Sequence, residues 1–114
     1  SLLLASPLHA AAGEMSVASF LAKADALRAK GAMALFSSDY KALKQEGEAA
    51  GAHYRARLQA ERAAGKPSSC APKGTRVNSD QLLSFLRSYP DAARARTPMR
   101  DAMADYFIRN YPCR

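Results

Sequence analysis

An all-α fold, a small bundle of four main helices with short helical turns and one disulfide, is what this 114-residue sequence predicts. Three observations predict it. Apolar residues recur at three- and four-residue spacing over most of the chain. No stretch alternates with period two long enough to make a strand, because 74–77 is short and bounded by turn formers. The two cysteines, Cys70 and Cys113, stand 43 residues apart, one among loop formers and one next to last; both are poor places for a buried thiol and good places for a staple.

The first element carries Val17, Phe20, Leu21, Ala24 and Leu27 on one stripe, with Ser16 to cap its first turn and Gly31 to end it. A short apolar piece, 32–36, precedes Ser37, Ser38 and Asp39, which supply caps for a longer helix. There Tyr40, Leu43, Gly47, Ala50, Tyr54 and Leu58 keep helical spacing to about Ala63. Gly47, Ala50 and Gly51 leave a stripe without bulky side chains, which predicts close approach of another helix. Gly65 and Pro67 stop this element, and 67–78 reads as an irregular connection containing Cys70. Asn78 or Ser79 then caps a helix bearing Leu82, Leu83, Phe85 and Leu86, ended by Tyr89-Pro90 because the residue before proline avoids helical angles. One further turn fits within 90–96. Thr97-Pro98 reads as a helix start with proline at the first helical position, followed by Met99, Ala102, Met103, Tyr106 and Phe107 facing one way.

Residues 1–12, with Leu2, Leu3 and Leu4 ahead of Ala10-Ala11-Ala12, read as the remnant of a secretory leader, leaving 13–114 as a single domain in the periplasm or outside the cell. No apolar run reaches the ~18 to 20 residues of a transmembrane helix, so no membrane insertion is expected. A domain this short has a modest core, and closing its long loop is worth ~4 kcal/mol in the chain-entropy model. The net charge of +7 is uneven: nine Lys or Arg against four Asp from Lys66 onward, eight against six acids before it. Such a surface attracts an acidic partner. Arg87, Arg94, Arg96 and Arg100 crowd the stretch around Tyr89-Pro90, where guanidinium forks would suit carboxylates. No nucleic-acid motif accompanies them, so a protein partner is the better expectation.

Catalysis finds little support. His53 is the only histidine outside the leader, Asp101 and Asp105 are one helical turn apart as on a solvated face, and pairing of the cysteines excludes a Cys-His nucleophile. No ligand cluster points to a metal and no glycine-rich phosphate loop to a nucleotide, so no cofactor and no enzymatic activity are expected.

The C-terminal half also carries a pattern: Cys70-Ala71-Pro72, then Gln81-Leu82-Leu83-Ser84-Phe85-Leu86-Arg87-Ser88-Tyr89-Pro90, Ala102, and Tyr111-Pro112-Cys113. This order resembles the Rap/Tai immunity family, small periplasmic helical proteins that neutralise peptidoglycan amidase effectors delivered by type VI secretion. The resemblance spans roughly 17–113 in layout and 70–113 in recognisable residues; many members carry further cysteines in the N-terminal half, where this chain has none. It implies a stoichiometric inhibitor, often a homodimer, that fills an effector's cleft with a loop held by rigid helices. The eligible loops are 65–78, pinned by Cys70 and carrying Lys66, Lys73 and Arg76, and 89–97, carrying Arg94 and Arg96. Pre-ordering lowers the entropy lost on binding and favours the first. The alternative is a small periplasmic stress protein or chaperone, which would loosen near pH 3.

Overall fold

The computed structural model describes residues 12–114, so the leader expected over 1–12 lies almost wholly outside the described residues. Helix α1 runs Val17–Lys30 and a 3₁₀ segment Gly31–Phe36 leads into α2, Ser38–Ala63. After a loop come α3 at Ser79–Arg87, the single turn α4 at Asp91–Arg94, and α5 at Met99–Asn110. The all-α expectation holds: four helices of substance and one short one, with Cys70 bonded to Cys113 across a Cα–Cα distance of 4.9 Å.

The caps explain the boundaries. The Ser16 hydroxyl accepts from Ser19 N–H at 3.0 Å, and the Ser37 hydroxyl accepts from Asp39 N–H at 3.1 Å. Asn78 and Gln81 form a reciprocal capping box at the start of α3, with bonds of 2.8 and 3.0 Å, each side chain taking an amide the helix leaves free. Gly31 ends α1 at φ 59°, where a side chain would be strained. Pro98, expected as the first helical residue of α5, is its N-cap instead: its ψ of 153° is extended, because its neighbours pair with the N-terminal segment.

That pairing is the one β-like feature among the described residues, an isolated antiparallel bridge between Ser16 and Pro98. Val17 N–H donates to Thr97 O, Met99 N–H to Met15 O and Arg100 N–H to Gly13 O, each at 2.8 Å. Gly13 lies against the α2 backbone at Ala49 and Ala50, so the close approach expected of a helix at the Gly47–Ala50–Gly51 stripe is made by this segment at Ala50.

α2 packs chiefly on α5, and α1 closes over both. The main core joins Val17, Phe20, Leu21 and Leu27 of α1 to Leu43 and Ala50 of α2, Leu86 and Tyr89 at the end of α3, and Met99, Ala102 and Met103 of α5. A second cluster, Tyr54, Leu58 and Ala104, connects to it through Phe107, whose ring stacks on Tyr54 at 5.5 Å. Burial of these apolar surfaces is the main favourable term in folding.

Candidate functional site

The loop joining α2 to α3 is held at several points. The disulfide ties its middle to the chain end, and Cys70 N–H donates to Tyr111 O at 2.7 Å. Both cysteines are exposed. Upstream, Glu61 accepts from Ser68 N–H at 2.8 Å and from the Ser68 hydroxyl at 2.5 Å on one oxygen, and from Arg57 Nε at 2.8 Å on the other. The buried Tyr54 hydroxyl lies 2.8 Å from Ser68 Oγ and 2.6 Å from Ser69 Oγ.

Since the Ser68 proton goes to the carboxylate, Tyr54 must donate to Ser68 and Ser69 to Tyr54, so the protons run in one direction along the chain of hydroxyls. The Ser68 hydroxyl, then Arg57, hold the Glu61 carboxyl down at about 2. The Arg57 guanidinium is correspondingly raised, first by its bond to Glu61. This network anchors 65–70 without presenting a reactive group.

Beyond it, Lys73 and Gly74 form the tip of a turn closed by Thr75 N–H to Pro72 O at 3.1 Å. Lys73 and Arg76 are exposed and make no ion pair with the described residues. The second predicted loop is different. Arg94 donates from Nε to Tyr89 O at 2.9 Å and from Nη2 to Arg87 O at 2.7 Å, and pairs with Asp91 at 3.2 Å. Its fork satisfies the last carbonyls of α3 and is therefore occupied internally. Arg87 reaches Asp25 on α1 at 2.6 Å and Arg100 reaches Glu14 at 3.4 Å, which leaves Arg96 as the exposed member of the arginine group that makes no ion pair with the described residues.

The four predicted contact residues are not brought together. Arg94 sits over the face of α1 carrying Ala18, Ala22 and Asp25. Arg76 precedes Val77, which lines a groove against the opposite face of α1, at Phe20, Ala24 and Leu27. That groove, about 530 Å³, is completed by Leu43 and Gly47 of α2, Leu82 and Leu83 of α3, and Met103 of α5. Tyr40, Lys44 and Glu48 form its rim.

The residues weighed for catalysis stand apart. His53 is exposed on α2. Asp105 accepts from the Tyr89 hydroxyl at 2.5 Å, and burial, then that bond, raises the phenol's pKa. Asp101 faces solvent. No group of His, Cys, Asp and Glu suited to a metal occurs among the described residues.

Two features escaped the sequence reading. Glu46 is buried on α2 and accepts from Met15 N–H at 2.9 Å. It was visible as an acid on the apolar stripe, three residues after Leu43 and four before Ala50. The groove itself left no sequence signal beyond Gly47. No family model, curated protein or solved structure matches the chain.

Proposed function

We propose that this protein is a non-enzymatic inhibitor of a peptidoglycan amidase effector, acting in the periplasm as an immunity protein of the Rap/Tai type. The observation that carries the reading is the order Cys70-Ala71-Pro72 to Tyr111-Pro112-Cys113, together with the joining of its two ends in a disulfide within a helical frame. A loop pinned by a disulfide and by the Tyr54, Ser68 and Glu61 network meets the requirement for low entropy loss on binding. An exposed disulfide also favours an oxidising compartment. Lys73 and Arg76 supply cations for an acidic cleft rim, with Arg96 on a separate surface.

Co-purification of residues 13–114 with peptidoglycan amidase effectors of type VI secretion, followed by peptidoglycan cleavage assays, tests the proposal. One-to-one binding that abolishes cleavage is expected. Unimpeded cleavage at stoichiometric excess overturns it. The competing reading is an acid-responsive chaperone, which the loop anchor does not favour, because a Glu61 carboxyl held down at about 2 is still ionised at pH 3. It requires the protein to expand near pH 3 and to suppress aggregation of a client there; a compact, inactive protein at that pH removes it.

A further inference from the structure

The 3₁₀ segment Gly31–Phe36 buries none of its residues. Only Ala34 packs against the core, while Phe36 is 83% exposed, Met33 and Leu35 are each 66% exposed, and Tyr40, one turn into α2, is 40% exposed. Single exposed apolar side chains are ordinary, but a cluster of large ones on a short segment marks a contact surface. The fold does not need them there, because Gly31 and the Ser37 cap set the path of the segment.

Tyr40 also opens the groove that runs past Leu27 and Leu43 to Val77 and Leu82. Gly47 keeps it open: a Cβ built there meets nothing within 4 Å, so no packing constraint explains the glycine.

Charge selects the occupant. Arg28, Lys30, Lys41 and Lys44 are exposed around the patch. Of the acids nearby, Asp39 pairs with Lys23 at 3.9 Å and Glu46 is buried on Met15 N–H, leaving Glu48 at the groove rim and Asp80 next to groove-lining Ser79, against the four cations. A second copy docked about a two-fold axis on the patch would set these cations against their own equivalents. A bilayer would accept the exposed tip but has nothing to place in a concave slot. A protein surface that presents apolar side chains flanked by carboxylates satisfies both the slot and its rim.

We infer that the exposed residues Met33, Leu35, Phe36 and Tyr40, with the groove beside them, form the docking site for such an acidic protein partner. The inference rests on the inhibitor reading above and assigns the effector's main apolar contact to this face, with Lys73 and Arg76 beyond its far end.

The test measures binding of residues 13–114 to peptidoglycan amidase effectors of type VI secretion for wild type, Phe36→Ser, Gly47→Leu and Lys73→Glu/Arg76→Glu. Phe36→Ser removes an exposed anchor and Gly47→Leu fills the groove, so each should weaken binding by about 30-fold, with helix content retained and melting unchanged or raised. The charge-reversed pair should lose less, with a loss that shrinks as salt rises. If both apolar variants bind like wild type, the docking site is overturned while the inhibitor reading stands. If wild type binds no amidase, both fall. Capture of wild type but not Phe36→Ser by anionic phospholipid vesicles would replace the protein partner with a membrane. A dimer of wild type that Phe36→Ser dissolves would replace it with a second copy.

Discussion

Two carboxylates on α2 do different work because their surroundings differ. Glu46 is buried and holds the Met15 amide, so removing it leaves a donor without a partner. Glu46→Ala should cost about 1–3 kcal/mol in urea unfolding, Glu46→Gln clearly less, and the Met15 amide should lose hydrogen-exchange protection in the alanine variant. Glu61 stands at the surface, lowered from 4.5 to about 2 by the Ser68 hydroxyl and Arg57. Its folded value lies below its unfolded one, so its contribution is complete above the unfolded value and is lost as pH falls toward the folded one. The melting temperature should therefore decline between about pH 5 and pH 2, and Glu61→Gln should flatten that decline while lowering stability at neutral pH. A profile identical in both proteins would remove Glu61 from the acid response. Arg94 shows how far residue type alone leads: its charge is plain in the sequence, but its bonds to Arg87 O and Tyr89 O follow from the turn at Pro90, which folds the guanidinium back on α3.

Helix boundaries were legible wherever a side chain or a backbone restriction defines them. Ser16, Ser37 and Asn78 cap the helices they were expected to cap, and Tyr89-Pro90 ends α3. Asn78→Ala, which removes an amide acceptor at an exposed helix start, should cost about 1 kcal/mol by thermal or urea unfolding. Gly47→Ala on α2 has the opposite sign: its Cβ meets no neighbour, so helix propensity should raise stability by about 0.5–1 kcal/mol. What the pattern did not disclose is that 32–36, apolar enough for a core, lies outside it. Hydrophobic composition marks a segment for burial somewhere; whether a neighbouring surface is present to receive it depends on how α1 and α2 diverge at Gly31 and Ser37, a tertiary matter. The groove was hidden for the same reason, since its walls come from α1, α2, α3, α5 and the loop. Pro98 shifted by one position because pairing with Met15 and Val17 outweighs its local preference.

At the scale of the whole molecule, the disulfide closes the largest loop of a domain with a small core. Cys70→Ser/Cys113→Ser should lower the unfolding free energy by ~4 kcal/mol, and mild reduction of the wild type should have a similar effect because both cysteines are exposed. An unchanged urea midpoint would show that side-chain anchoring of the loop suffices alone. The segment around Gly13, Met15 and Val17 has a different consequence, one of timing. Its partners, Thr97, Met99 and Arg100, leave a ribosome only after α1 to α4 have been made, and Cys70 likewise waits for Cys113. Early helices of the chain thus have no completed surface to settle on during synthesis, and contacts so distant along the chain form late. A polypeptide built in this way stays open to threading until α5 has been made.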